Sequence, residues 1–476
     1  MPLRSLVTKL QETALTGELD ERSSRPERLL MRGAGRCSRA LVASALSQRR
    51  GAPLLVVVPT LEEAGRWTAL LELMGWGQAS LYPTSEGSPY EPFDPTSEIT
   101  WGQLQVLSDL LGEPNAASWA IVATERCLQP HLPPPDVLKT KTRTLRKGDE
   151  VDLEALGETL AQLGYERVTT IEQEGSWSRR GDIVDIFPVS SELPVRLEFF
   201  GEKLDKLREF DPASQRSLDP VDALRLTPTG FGPLIADQLR ETMPDGLEQL
   251  LGSEGTEQLL NGGTPEGMRR LMGLAWEQPA SLLDYLPDTT TVVIDERRQG
   301  LAHGQQWLSH VEEHHHDMAA EAGLDEGDRD RLWPAVLHRE IEAAYALTEV
   351  FHGFDMAELL EVDQHPNSFD LASRPVPAYP NQFGKLGELI KGFQTERTAV
   401  WLVSAQPSRA VALLEEHDCI SRFVPNAGDS NAISRLIEQN TPVALKVRGT
   451  AELEGLQLPA WRIALVTDRE FFGQQS

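Results

Sequence analysis

A chain of 476 residues, 40% of them hydrophobic, is long enough for roughly three compact domains, each able to bury its own core. Its 73 acidic and 45 basic residues leave a formal net charge of −28, and that field repels phosphate backbones and anionic membrane surfaces, so a protein partner with a basic patch fits better. Three cysteines (Cys37, Cys127 and Cys419) with no CxxC pair indicate neither a disulfide framework nor a zinc site, and the longest apolar run, "PLLVVVP", is too short to span a bilayer.

Charges interrupt the apolar residues of the first twenty positions, which is not the form of a signal peptide, and a reducing cytoplasm is expected. "LLMRGAGRCSRALVAS" then presents glycines before a helix, as a phosphate-binding loop does. The chemistry of such a loop is missing. GxxxxGK[ST] needs a lysine for the terminal phosphates and a hydroxyl for magnesium, whereas Gly33 and Gly35 are followed by Arg36, Cys37 and Ser38, and no lysine occurs between Lys9 and Lys139. A structural glycine turn is the expectation, with Arg36 or Arg39 as the groups that would touch a phosphate.

Leu41, Val42, Ala45 and Leu46 predict a helix over 38–48, and Gly51-Ala52-Pro53 breaks it before a buried strand at 54–58. "TLEEAGRWTALLELMG" carries one apolar helical stripe, with Thr60 and Glu63 in capping-box spacing. The helical "ITWGQLQVLSDLLG" precedes a further apolar strand, "WAIVAT" at 119–124. Residues 1–130 therefore read as the first half of an α/β domain with a parallel sheet covered on both faces.

The prolines of "QPHLPPPDVL" (129–138) predict an extended connector, and the basic strip "LKTKTRTLRK" that follows reads as a solvated linker. From 139 to 228 an amphipathic helix, closed by Gly164, and alternating strands predict an inserted α+β domain with an antiparallel sheet. Residues 229–367 return to helical texture with one clear strand, "TTVVID" at 290–295; it is expected to join the sheet of residues 1–130, which makes one split domain. "VVIDERR" resembles a strand ending in a metal-binding pair, Asp295 and Glu296, but with no lysine loop to serve, a solvated strand end is expected. His314, His315 and His316 are adjacent, so their side chains diverge, and a solvated acidic loop is expected there. "SFDLASRPVPAYPNQ" (368–382) is a second proline-rich connector, and the alternation from 382 to 476 predicts a small separate α/β domain.

No Ser-His-Asp set or paired-carboxylate site can be located by spacing, and no catalytic residue, cofactor or metal is assigned. The informative stretch is "RRGDIVDIFPVSSELPVRLEFFGEK" (179–203). Side chains alternate along a strand, so Val195, Leu197 and Phe199 face a core while Arg196, Glu198 and Phe200 face away. Arginine beside an aromatic is the composition of interface hot spots, and Arg180 reaches the same face if the strands pair antiparallel. On the blander reading Phe200 closes the hairpin at Gly201, and the arginines pair with Glu198 or Asp182.

"YERVTTIEQEGSWSRRGDIVDIFPVSSELPVRLEFFGEKLDKLREFDPASQRSL" closely resembles the part of bacterial transcription-repair coupling factor (Mfd) that is homologous to the excinuclease protein UvrB. "YPTSEGSPYEPFDPTSEI" and "SLLDYLPDTTTVVIDE" resemble the flanking half-domains, and "ALVTDREFFG" the end of the third domain. The resemblance implies a split parallel-sheet α/β domain like a helicase domain with a degenerate P-loop, an inserted α+β domain, and a small C-terminal α/β domain. It implies an adaptor that recruits the excinuclease protein UvrA to stalled RNA polymerase, with Arg180, Arg196 and Phe200 at the matching contact positions. The family's polymerase-binding domain and ATP-driven DNA translocase motor would lie after this region, so RNA polymerase and DNA would be engaged outside this chain. The alternative is a nucleotide-hydrolysing DNA repair enzyme like UvrB.

Overall fold

The computed structural model describes residues 1–112, 118–242, 246–359, 365–448 and 452–473. A seven-stranded, wholly parallel sheet is assembled from both ends of the first 370 residues, in the spatial order Ser368–Asp370, Leu30–Arg32, Gly353–Met356, Thr291–Asp295, Leu54–Val58, Trp119–Thr124, Gln78–Leu81. Leu54–Val58 and Thr291–Asp295 are buried at every position because helices cover both faces, and such strands carry no polar alternation. They pair directly, with Thr291 opposite Leu54 and Ile294 opposite Val57, so the domain is split in sequence and continuous in space. The sequence pattern does not reveal Leu30–Arg32, Gly353–Met356 and Ser368–Asp370. These strands are three or four residues long and carry charged groups, among them Asp355, which pairs with Arg28 and Arg297.

The inserted residues enter and leave through a stem of two antiparallel strands, Arg143–Arg146 against Ala223–Leu226, with Leu145 opposite Leu224. Beyond it lies a six-stranded sheet in the order Ser217–Pro220, Lys203–Phe210, Val195–Phe200, Ile183–Phe187, Ser176–Arg180, Glu166–Arg167, antiparallel except for its last pair. The helix Leu153–Gln162, capped by the Asp152 carboxylate, lays Leu156 and Leu160 against Trp177, Val184, Leu197 and Leu207 on one face of this sheet. That leaves the opposite face to solvent over much of its area.

Two stretches read as connectors are built into the fold. In "QPHLPPPDVL" only the first half is extended. The amides of His131 and Leu132 both donate to the Ala280 carbonyl, Tyr285 Oη donates to the Pro133 carbonyl at 2.6 Å, and Pro135 opens a helix, Pro135–Lys141. Proline at the first helical position loses no hydrogen bond, which is why this triplet ends in a helix. The basic strip is correspondingly not a solvated linker, since it runs through that helix into the stem strand, with Lys141 paired to Asp237.

The stretch 368–382 begins as the edge strand beside Leu30–Arg32, and Arg374–Pro375 then pairs with Leu456–Leu458 of the C-terminal sheet. That sheet runs Arg374–Pro375, Leu456–Leu458, Ile463–Thr467, Ala399–Ser404, Val443–Lys446, Arg422–Phe423, with its last four strands parallel. The domain is not separate from the first. Trp401, Ile433, Leu445 and Trp461 belong to one apolar cluster with Leu6, Leu10, Leu41 and Trp67, and the indoles of Trp401 and Trp461 donate to Ser5 Oγ and Thr16 Oγ at 3.1 and 3.0 Å. Charged surface around apolar stripes hides such an interface from a reading of one segment at a time.

Candidate partner-binding site

The open face of the inserted sheet is set by register. Asp185 lies opposite Arg196, Ile183 opposite Glu198, and Arg180 opposite Ile183, so these residues and Phe200 project from one face of three adjacent strands. Val195, Leu197 and Phe199 are buried on the other face. Phe200 pairs with Lys203 across a tight turn in which Gly201 takes φ = 65°, so it closes the hairpin as the blander reading expects, and yet the residue is 85% exposed. Ile183 is partly exposed beside Glu198 and extends the apolar surface.

The two arginines share one carboxylate, and it is neither Glu198 nor Asp182. Arg196 donates through Nε and Nη2 to the two oxygens of Asp185 at 2.7 and 2.9 Å, and Arg180 Nη2 reaches the same carboxylate at 3.2 Å. The Asp185 side chain is 1% exposed, Arg196 is 16% exposed and Arg180 is 59% exposed. Arg196 also stacks 4.7 Å above the ring centre of Phe210, so this arginine is mostly covered rather than turned out to solvent. Its guanidinium clamps two strands and holds the acid that positions Arg180; Arg180, Ile183 and Phe200 are exposed groups of this face. Asp185 is visible in "DIVDIF" as a residue on the face of Ile183, but only the strand pairing shows that it faces Arg196.

The glycine loop closes on itself. Gly33 takes φ = 79° and Gly35 caps the helix Arg36–Arg49. Arg36 is bidentate to Glu63 at 2.6 and 2.7 Å, which diverts that carboxylate from the capping box expected with Thr60; the Thr60 hydroxyl still accepts from the Glu63 amide. Cys37 is buried, its thiol pushed up to about 12 by desolvation, and Ser38 Oγ hydrogen-bonds Ser373 Oγ at 2.7 Å.

Arg39, 2% exposed, pairs with Glu296 at 2.6 Å and with Asp295 at 3.2 Å. Asp295 is fully buried rather than solvated, with the Trp67 indole donating to it at 3.0 Å, and burial raises its carboxyl to about 7 against the opposing pull of Arg39. A cation of the chain itself thus sits on the acidic pair that a nucleotide enzyme would reserve for metal. The cleft of about 520 Å³ over the loop is lined by Glu358, Asp370 and Glu454 against a single cation, Arg374, a balance that repels phosphate.

His314, His315 and His316 are not in a loop. They lie on the 25-residue helix Arg297–Glu321, whose buried side is Gly300, Gly304, Leu308, Val311, His315 and Ala319. His315 packs edge-on to Tyr90 and Trp333, each with ring centres 4.9 Å away. No helix among the described residues is long and apolar enough to cross a membrane.

Two family models match the chain: "UvrB interaction domain" over residues 144–230, which is the inserted sheet with its stem, and "Cyanobacterial Mfd, Rossmann-like domain" over residues 375–473. The transcription-repair-coupling factor of Bacillus subtilis is 23% identical over 480 aligned positions, covering 93% of this chain and 38% of the relative. Those of Mycobacterium tuberculosis and Escherichia coli are 30% and 28% identical, over 60% and 56% of the chain and 25% and 23% of the relatives. The chain spans less than two fifths of the length of these relatives. Both domain matches fall on the sheets described above, and over most of its length the chain is similar to transcription-repair-coupling factors, with its inserted sheet matching the UvrB interaction domain.

Proposed function

We propose that this chain is the adaptor of transcription-coupled nucleotide excision repair, and that the open face of its inserted sheet docks the excinuclease protein UvrA. The observation that carries the reading is that an 85% exposed Phe200 and Arg180 lie on one face, where Asp185, itself clamped by Arg196, holds the arginine in place. An exposed ring leaves its full apolar area to be buried by a partner, and arginine and aromatic anchors supply most of the energy in such interfaces. The match to a domain described as an interaction domain falls on this sheet and supports the same reading. RNA polymerase and DNA are then engaged by other regions of the full-length factor, which also carry the ATP-driven translocase.

The chain itself carries out no reaction in this reading. Its support is the occupation of the Asp295–Glu296 pair by Arg39 and the acidic cleft over the glycine loop. Titrating purified UvrA into the chain tests the docking face. Phe200→Ala and Arg180→Ala are each expected to weaken binding by about thirtyfold or more, equivalent to about 2 kcal/mol. Unchanged affinity in a folded variant of both residues removes this face from the interface.

A further inference from the structure

On the helix Arg297–Glu321, His310 and His314 stand four residues apart on one side with ring centres 4.2 Å apart. Glu91 comes to them from the irregular segment that follows the edge strand Gln78–Leu81; its Oε1 lies 4.0 Å from His314 Nδ1. One ligand atom from each of the three lies within 4.8 Å of the other two. We propose that Glu91, His310 and His314 bind one divalent transition-metal ion of the zinc class, with water as the remaining ligand, and so clip this segment to the helix.

Donor chemistry selects the metal. Two imidazoles and one carboxylate suit zinc and its neighbours, whereas calcium and magnesium take oxygen donors. In His310-Val311-Glu312-Glu313-His314 the two imidazoles have the spacing that places both on one helical face, an arrangement zinc enzymes use in the order His-x-x-Glu-His. Ligands bonded at 2.0–2.1 Å in a tetrahedron stand roughly 3.4 Å apart, so closure needs inward movement of about 1 Å by side chains with solvent on one side.

The frame around the three is already fixed. Tyr90, next to Glu91, is buried, packs edge-on against His315 of the same helix and donates its hydroxyl hydrogen to the Leu332 carbonyl. The Ser88 amide donates to Glu91 Oε1 at 3.3 Å, the kind of bond that orients a ligating carboxylate. Glu312, Glu313 and Asp317 add negative charge on the same helix.

The test is a zinc titration of the untagged, chelator-stripped chain at pH 7.5 in competition with a chromophoric chelator. One equivalent is expected to bind with a dissociation constant of about 1 µM or tighter, and His310→Ala, His314→Ala and Glu91→Gln are each expected to weaken it tenfold or more. His316→Ala, outside the cluster, serves as the control and keeps full affinity. Circular dichroism establishes that each variant is folded, and zinc is expected to raise the melting temperature of the parent but not of His314→Ala. Binding weaker than about 10 µM in the parent, or affinity that survives loss of both His310 and His314, overturns the proposal.

Discussion

Arg39 and Glu296 meet at 2.6 Å although 257 residues separate them in sequence, and the same guanidinium lies 3.2 Å from the buried Asp295. This contact ties the first half of the split domain to the second at the point where a nucleotide enzyme binds metal. Removing one partner of a buried pair leaves the other charge uncompensated, which costs about 3–5 kcal/mol. Arg39→Met is therefore expected to lower the urea midpoint by that equivalent. Adding Asp295→Asn to it should restore part of the loss. Neither variant is expected to acquire ATP binding, since the cleft keeps its three carboxylates; labelled ATP in equilibrium dialysis checks this.

Arg196 and Phe200 share a face but differ in what they touch, so they separate stability from binding. Phe200→Ala removes a ring with little around it, and its urea midpoint is expected to stay within about 0.5 kcal/mol of the parent while the partner is lost. Arg196→Ala strips a covered carboxylate, Asp185, of its bidentate partner and leaves it only Arg180. It is expected to lose about 2–4 kcal/mol of stability along with binding. If Arg196→Ala melts like the parent, the clamp has no structural weight.

What a single sequence shows here depends on how local the physics is. Leu54–Val58 and Thr291–Asp295 are legible because burial on both faces writes itself into every residue, and the outward side of Val195–Phe200 follows from simple alternation. The long helix was legible in principle, since Leu308, Val311, His315 and Ala319 keep helical spacing beneath the charged run that masks them. His310 goes unnoticed until that helix is in hand, because its partner is four residues on rather than adjacent. Asp185 opposite Arg196 and Arg39 on Glu296 exist only after strands pair and the halves of the domain meet. No spacing rule reports them.

The contact between the C-terminal domain and the split domain includes two buried indoles within a shared apolar cluster, so truncating one of them tests how much that interface holds. Trp461 is buried, donates to Thr16 Oγ at 3.0 Å and lies edge-on to Phe369. Trp461→Ala removes the ring's packing and leaves the buried Thr16 hydroxyl without its indole donor, a loss of about 3–5 kcal/mol. Limited proteolysis of that variant is expected to cut first within 371–382, between the two sheets, with the parent resisting under the same conditions. Equal resistance would mean that other contacts of the shared core suffice.

Glu125 supplies a pH dependence whose sign is fixed by its surroundings. The side chain is 1% exposed, neither carboxylate oxygen has a hydrogen-bond partner, and burial raises its carboxyl from the usual range to about 7, opposed by Arg126. In the unfolded chain this carboxyl ionises near 4.5, so between there and about 7 the folded state holds a proton that the unfolded state has released. Its favourable contribution is complete below the lower value and is lost as pH rises through the upper one, a swing on the order of 3 kcal/mol. Glu125→Gln keeps the shape of the protonated acid and cannot ionise. The variant is expected to match the parent near pH 4.5 and to exceed it in urea midpoint at pH 8; equal midpoints at both values would show that Glu125 is solvated or paired in solution.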